Sequence, residues 1–439
     1  MTLLQHTLSG EKLPEANLNP VSSSTKPRNI ALLFERVVPS LHARLISLAE
    51  LANFTLIEFC QRDSTYLMEA VDSAGDYRKI TLFQDFSYVH YPSRVIQNRT
   101  FAALEQIAPD VVGIIGWNDR VSLAGLMWCM TRGVPAVFMG DSTVHDHPRF
   151  WLLEWMKAGI LNCFDTAFVS GTAQVDYLVS LGYPPHLIRQ GYDAVDNAFF
   201  GKESVNARRN RETYSKKLKL PEKYFLCSCH FIPKKNILSL IHAYGKYKDE
   251  TQHPWHLVLI GDGPLRVQIR REIERLGLVD LIKLPGFIQY DELPKYYAFA
   301  SAFVLASISD PCPLVVNEAM ACSLPIILSD RCGNTRDFVV EGKNGFSFDP
   351  NQPCELVDIM RRISALSLDE LEEMGRESRG IISAWTPDNF ARNLVAACQT
   401  AVAEKRKSRT TFRMLLIKLF LSRTLRKCKA LISYVLAAQ

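Results

Sequence analysis

Apolar positions fall into short runs separated by longer amphipathic stretches. NIALLF (29–34) is an apolar run of strand length, and LHARLISLAELA (41–52) follows with leucines at helical spacing, Leu41, Leu45, Leu48 and Leu51. The alternation continues through FTLIEF, a helix near 97–107, DVVGII (110–115), a helix near 121–131, PAVFMG (135–140), TAFVS (166–170) and a helix near 172–181. GYDAVDNAFF (191–200) breaks the pattern, and a charged helical stretch, ARRNRETYSKKL, follows. The pattern then restarts with YFLCSC (224–229), a helix near 236–247, WHLVLIG (255–261), a helix over 265–276, LIKLPGF (281–287), a helix near 291–299, AFVLAS (302–307), a helix over 312–322 and PIILSD (325–330). Strands alternating with helices predict parallel sheets covered on both faces. The break predicts two α/β domains, each doubly wound and Rossmann-like, facing a cleft where a ligand binds at the strands' carboxyl ends.

The predicted organisation is a polar, flexible lead (1–28), a first domain (29–200), a second domain (201–384), a further helix (385–403) and a tail (404–439). Hydrophobic residues make up 47% of the 439 and charged residues 22%, which excludes a wholly disordered or disulfide-stapled chain. The net charge of +5 is uneven. Residues 405–439 hold ten Lys/Arg and no Asp or Glu, and subtracting these ten leaves residues 1–404 at −5. In the tail, Met414, Ile417, Leu421, Leu425, Cys428, Ile432 and Val435 recur at steps of three or four. Arg423, Arg426 and Lys427 lie opposite this stripe. A basic amphipathic helix of this kind suits an anionic membrane surface better than nucleic acid, with packing on the body as the alternative. The 11 cysteines show no framework spacing, and Cys227 and Cys229 fall on one face of a predicted strand. With no leader pattern and no run of 18 apolar residues, the expectation is a reducing cytoplasm at the inner face of a membrane.

Three segments carry candidate chemistry. IGDGPLRVQIRREIERLG (260–277) is a strand-to-helix turn holding Gly261 and Gly263, but Arg266 stands where a dinucleotide fingerprint needs its third glycine. CSCHFIPKKNILSLIHAY (227–244) places His230, Lys234 and Lys235 ahead of a helix that opens near Asn236, a combination suited to an anion. In SISDPCPLVVNEAMACSLPIILSD (307–330), Asp310 precedes a helix start and Glu318 lies eight residues on. On one helix that is roughly 12 Å, so the two carboxylates would grip two ends of one ligand. Asp310 also suits an N-cap.

Together, in this order and spacing, these segments resemble glycosyltransferase family 4 and its two-domain GT-B fold. The resemblance covers most of 29–403 and is strongest over 224–350. The family's Gly-Arg…Glu-Lys segment, G-x-G-P turn and Glu-(seven residues)-Glu followed by A-M-A-C-G-x-P stand here as Cys229-His230…Lys234-Lys235, Gly261-Asp262-Gly263-Pro264 and Asp310-(seven residues)-Glu318 followed by AMACSLP. GNTRDFVVEGKNGFSFDP also looks like the family's later G-G-x-x-E run, and WTPDNFARNLVAACQT (385–400) resembles its final helix, which implies that 385–403 crosses back to the first domain.

The resemblance implies a retaining, metal-independent hexosyltransferase with no cofactor. Its donor would be a UDP- or GDP-linked nucleotide-sugar and its acceptor a glycan or lipid-linked acceptor, in polysaccharide or lipopolysaccharide synthesis. Lys235 and His230 would hold the diphosphate, Asp310 the sugar hydroxyls and Glu318 the ribose, with Lys234, Gly261, Gly263, Leu314 and Val315 around the donor. The catalytic set would be Lys235, Asp310 and Glu318. No D-x-D motif occurs, so no metal site is expected. The chain departs from the pattern at His230 (Arg in the family), Asp310 (Glu), and Pro313 and Ser323 (both Gly), and the family's first-domain His is absent. These departures keep open a nucleotide-binding scaffold subunit, and a sugar-nucleotide epimerase is a third reading. The first domain would hold the acceptor, and its candidates are Arg36, His42, Trp117, Asn118, Asp141 and Arg149, with Arg120 and Lys157 nearby. A polar or anionic acceptor on an aromatic platform suits that mixture.

Overall fold

A computed structural model describes residues 27–62, 77–117, 119–146, 149–404, 417, 418 and 421. Asn118, residues 1–26 of the lead and most of the tail lie outside the described residues. Among these residues there are two sheets, and every strand pairing is parallel.

The first lobe has strands β1 (Ile30–Phe34), β2 (Phe54–Arg62), β3 (Arg78–Asp85), β4 (Val111–Ile115), β5 (Ala136–Gly140), β6 (Thr166–Val169) and β7 (Ile188–Gln190), in the order β3-β2-β1-β4-β5-β6-β7. Its helices are α1 (Pro39–Leu51), α2 (Ser93–Ile107), α3 (Arg120–Arg132), α4 (Trp151–Leu161) and α5 (Thr172–Ser180). Two helices, α6 (Asn197–Arg209) and α7 (Arg211–Leu218), lead into the second lobe. Its strands are β8 (Tyr224–Ser228), β9 (His256–Ile260), β10 (Ile282–Gly286), β11 (Ala302–Leu305), β12 (Ile326–Ser329) and β13 (Gly345–Phe348), in the order β10-β9-β8-β11-β12-β13. Around them lie α8 (Ile237–Asp249), α9 (Arg266–Arg275), α10 (Leu293–Phe299), α11 (Leu314–Ala321), α12 (Thr335–Phe338), α13 (Pro353–Ser364) and α14 (Leu368–Ile382). A last helix, α15 (Pro387–Ala403), follows.

Central strands such as IALLF and YFLCS are buried along their whole length, as sheets covered on both faces require. Strand order reverses between β1 and β4 in one lobe and between β8 and β11 in the other, and crevices open at such points. Three strands escaped the hydrophobic pattern: β3, β7 and β13. All lie at sheet edges; in β3 and β7 exposed or half-exposed polar positions replace the apolar run, while β13 is only four residues long.

One apolar cluster fills the second lobe, from Val195 to Ile382. The first sheet has a cluster on each face. One packs α2, α3 and α5, with Ile417 and Leu421, and the other packs α1 and α15. The chain therefore changes lobe between Ala194 and Val195, so the domain boundary read at 200/201 falls inside α6. It returns after Trp385, and Asn197 ties the two crossings together by donating to the carbonyls of Ile382 (2.9 Å) and Trp385 (3.1 Å). Among the described residues no helix is long and apolar enough to cross a membrane.

Candidate active site

At the carboxyl ends of β8, β9 and β10 three loops are laced together. Cys229 N–H donates to Ile260 O (3.0 Å), Phe231 N–H to Asp262 O (2.8 Å), and Gly261 N–H to Gly286 O (2.9 Å). This approach leaves no room for side chains at the turn. Gly261 has φ +136°, and a Cβ there would lie 1.9 Å from the Cys229 carbonyl oxygen. Gly263 has φ +153°, and its Cβ would lie 2.8 Å from the His230 ring. The glycines thus serve close backbone approach. Pro264 does not open the helix, since α9 begins at Arg266.

Above this floor lies a cavity of about 430 Å³, within the range of small-molecule sites. His230, Gly261, Gly263, Val315 and Glu318 line it, together with an aromatic and aliphatic wall of Phe287, Ile288, Tyr290 and Leu293. Tyr290 is held flat against Phe199, with centroids 5.5 Å apart and planes 8° apart. His230 is held below its usual pKa by partial burial and by the Lys235 charge, so its ring is neutral near pH 7.

Glu318 is buried on α11 and accepts a 2.8 Å hydrogen bond from the Tyr297 hydroxyl. Burial pushes its carboxyl up to about 7, against the smaller opposing effect of that bond. An exposed helix face is thereby excluded for this residue. The carboxyl therefore sits at the edge of ionisation near neutral pH.

Lys235 and Asp310 meet each other. A 3-10 turn over Pro233–Lys235 ends at Asn236 in the left-handed region (φ 56°) and turns Lys235 toward the loop after β11, where its ammonium pairs with the Asp310 carboxylate. Both side chains are largely buried, 13% and 8% exposed. Burial opposes the Lys235 charge, but the Asp310 carboxylate outweighs it and raises the lysine's pKa. The pair lies outside the cavity lining yet within electrostatic reach of His230 and Cys229. Asp310 is not an N-cap. It is bridged to Cys332, and α11 begins four residues later behind Pro313, with no side-chain cap. The stretch from Asp310 to Glu318 is therefore not one helix, and the 12 Å spacing does not apply. Leu314 and Val315 form the first turn of α11, while Lys234 is exposed and its carbonyl accepts from Ile308 N–H (2.9 Å). Cys229 lies just beyond β8, with its sulfur 3.9 Å from that of Cys227, and both are free thiols.

The first-lobe candidates do not converge. Trp117 is buried and stacked on Phe138 (5.0 Å, 24°), so it is core and no platform. Arg149 is a brace, donating to Val144 O (2.7 Å), the Tyr177 hydroxyl (2.7 Å) and Glu154 (3.2 Å). Arg120 is buried and donates to Tyr91 O (2.6 Å). Lys157 bonds Glu154 (2.7 Å). His42 Nδ1 lies 3.1 Å from the Tyr77 hydroxyl, and Arg36 is half-buried after β1. Asn118 lies outside the described residues. Asp141 alone faces the other lobe. Burial first, then the Asp193 charge, lift its carboxyl to about 7, and it feels Asp310 across the cleft.

Residues the motifs did not indicate join the lobes. Asp193 is buried, accepts from Ser170, and pairs with Arg44 (3.5 Å), while burial raises its pKa. Asn317, beside Glu318, donates to the Asp193 carbonyl (3.3 Å). Thr172 N–H donates to Asp337 (2.9 Å), and Gln174 to Pro311 O (2.7 Å). The break in periodicity at 191–200 was the one available signal for Asp193. Among the described residues no group of three or more His, Cys, Asp or Glu is arranged to hold a metal ion.

The sequence model of the glycosyl transferases group 1 matches residues 210–380, the part of the chain that builds this cavity. Over these residues the chain is similar to the group 1 glycosyltransferases, in keeping with the resemblance carried by its motifs. It is 26% identical to the sulfoquinovosyl transferase SQD2 of Arabidopsis thaliana over 87% of its own length and 74% of that protein. It is 33% identical to the alpha-monoglucosyldiacylglycerol synthase of Acholeplasma laidlawii, over 27% of this chain and 29% of that one. Its fold matches the crystal structure of Anabaena HepE in complex with UDP-glucose, with a TM-score of 0.60, 16% identity, and coverage of 84% of this chain and 98% of the other. The two sheets with alternating helices are the GT-B fold. The protein thus presents a cavity in its second lobe beside a buried ion pair, with loops of the first lobe joined to that lobe nearby.

Proposed function

We propose that the protein transfers a hexosyl group from a nucleotide-sugar, UDP- or GDP-linked, to a lipid-linked or polysaccharide acceptor, with retention and without a metal ion. The observation that carries the donor is the cavity bounded by Glu318 and the Gly261–Gly263 turn, set beside the Lys235–Asp310 pair. In this reading the base enters the apolar wall of Phe287, Ile288 and Tyr290, and Glu318 accepts from the ribose hydroxyls. The diphosphate approaches Lys235 and the first-turn N–H groups of α11. As the bond from the anomeric carbon to phosphate breaks, its electron pair passes to the diphosphate, and a fixed ammonium stabilises that charge. Asp310 keeps Lys235 charged and in place beforehand, then accepts from the donor sugar. HepE supports a UDP-linked donor, because that neighbour was crystallised with UDP-glucose. The Acholeplasma synthase supports a lipid acceptor. Retention and metal independence rest on the family resemblance.

Calorimetry with UDP, GDP and their sugars tests the donor. Transfer to diacylglycerol and glycan acceptors in the presence of EDTA, with NMR of the anomeric proton, tests the rest. No nucleotide binding sinks the donor site, and an inverted product sinks retention. One observation favours a second reading, binding without transfer: His230 is neutral where the family pattern has arginine, and Lys235 is already engaged by Asp310. Nucleotide binding with no turnover on any acceptor would select it.

A further inference from the structure

The outer side of α4 is built the opposite way from a water-facing helix. Trp151 is 74% exposed, and Trp155, one turn on, is 52% exposed. Phe150 and Leu152 join them, and Val144 is exposed on the loop before the helix. The charges are folded inward. Lys157 bonds Glu154 (2.7 Å) and the Tyr177 hydroxyl (3.2 Å), which itself donates to Glu154 (2.9 Å), and Arg149 closes the cluster. A surface helix ordinarily buries its apolar stripe and solvates its charges. A contiguous exposed apolar patch marks a contact surface. Paired tryptophans, with apolar bodies and a ring N–H, suit the boundary between lipid and water.

The same side of the sheet holds Ile417 and Leu421. Ile417 and Leu421 are buried in the cluster that also holds Ile160 and Leu161 of α4, and Ser93 Oγ donates to Leu421 O (2.7 Å). Lys418, between these anchors, is exposed. In the sequence these anchors belong to a stretch with ten Lys/Arg and no acidic residue, and Ile417 and Leu421 themselves lie on the side of the sheet that bears α4. The loop between β5 and α4 continues to the cleft, where His145 Nδ1 lies 3.5 Å from Arg331 of the second lobe.

We propose that this face of the first lobe docks on an anionic bilayer. Trp151, Trp155, Leu152 and Phe150 enter the interfacial layer, and Lys418, exposed between the anchors Ile417 and Leu421, meets the headgroups. Charge complementarity selects the lipid surface, and the choice of occupant rests on the lipid-acceptor reading above. A lipid-linked acceptor would then reach the cleft along the β5–α4 loop.

The test uses the full chain with vesicles of phosphatidylcholine containing phosphatidylglycerol, beside Trp151→Ser/Trp155→Ser and a chain ending at Leu421. Wild-type protein should bind, with its tryptophan emission shifting to the blue. The double variant should lose at least about tenfold in vesicle affinity, with nucleotide binding in the other lobe unchanged. Vesicle binding by the double variant equal to wild type overturns the proposal. So does a dimer dispersed by the double substitution, which makes the patch a self-interface. So does a red shift on truncation in the absence of lipid, which makes the tail its cover. Docking as described by a protein that transfers no sugar to lipid supports the surface and overturns the acceptor reading. Transfer to lipid with docking untouched by the substitutions does the reverse.

Discussion

Lys235 and Arg36 occupy matching places. Each follows the strand from which its sheet winds in both directions, β8 in one lobe and β1 in the other. Their partners across the switch point also match: Asp310 follows β11, and Trp117 follows β4. The outcomes differ. In the second lobe the crevice holds a buried ion pair beside a cavity. In the first lobe the equivalent loops are spent on structure. Glu58 accepts from Val37 N–H (3.0 Å), Trp117 stacks in the core, and Asp119 caps α3 and accepts from the Tyr88 hydroxyl (2.9 Å). A repeated topology guarantees a crevice but not its chemistry, which belongs to the particular side chains.

The sharpest way to break this contrast is Lys235→Met. Turnover should fall at least about 10³-fold if Lys235 stabilises the leaving group. The stranded Asp310 should also cost about 3–5 kcal/mol of unfolding free energy. Lys235→Met/Asp310→Asn should recover most of that stability in urea titration and none of the turnover. A double variant that regains turnover would move the chemistry elsewhere.

Gly261→Ala should cost about 3 kcal/mol or more, because its Cβ has no space beside the Cys229 carbonyl. Nucleotide binding should vanish with the pocket floor. A stable, fully binding Gly261→Ala protein would show that the three-loop lacing is not what shapes the site.

Glu318 gives a pH-dependent test. Its folded-state pKa of about 7 lies above the ordinary 4.5, so the folded protein holds this proton more tightly than the unfolded chain. Stability is therefore lost as pH rises from 4.5 to 7, and the deficit of about 3 kcal/mol is complete above 7. Glu318→Gln should be more stable than wild type at pH 8, and the difference should close toward pH 5. If the ionised carboxyl grips the ribose, wild-type nucleotide affinity should rise through pH 7, while the Gln variant should bind about tenfold more weakly at pH 8 with a flat contribution at this position. Identical pH profiles would remove Glu318 from the ligand.

The smallest effects belong to the first lobe. Trp117→Phe and Arg149→Ala should lower stability by about 1–2 kcal/mol and leave the KM for acceptor unchanged. A rise in that KM without loss of stability would restore either residue as an acceptor contact.

The legible parts of the fold were those with unbroken apolar strands, because full burial on both faces writes itself as a solid run. The edge strands β3, β7 and β13 were not legible, since RKITLFQD mixes exposed and buried positions, IRQ has no buried residue, and GFSF is four residues long with a polar serine in it. The gathering of Gly261, Gly263 and Glu318 around one cavity was legible because its demands are local: glycines where loops touch, and a carboxylate inside LVVNEAMA. The Lys235–Asp310 pairing was not, since 75 residues separate them and only the reversal of strand order at β8 and β11 joins them. Trp117 misled because an aromatic residue at the end of a strand reads alike whether it stacks inward or faces a ligand. Asp193 escaped because its partners, Arg44 and Ser170, come from two other elements.

Helix α15 returns to close the lower face of the first sheet. Phe390, Leu394, Ala397 and Cys398 complete the cluster with α1, and Thr166 Oγ donates to Ala397 O (3.1 Å). The order of synthesis follows from this. A nascent chain cannot finish its first lobe until the ribosome has made the whole of the second, since the covering helix is nearly the last part to emerge. The second lobe's cluster, which begins at Val195 and ends before α15, can close first. Until α15 docks, the early strands carry an uncovered apolar face, so a stalled or truncated chain should be cleared by proteolysis with the second-lobe cavity already formed.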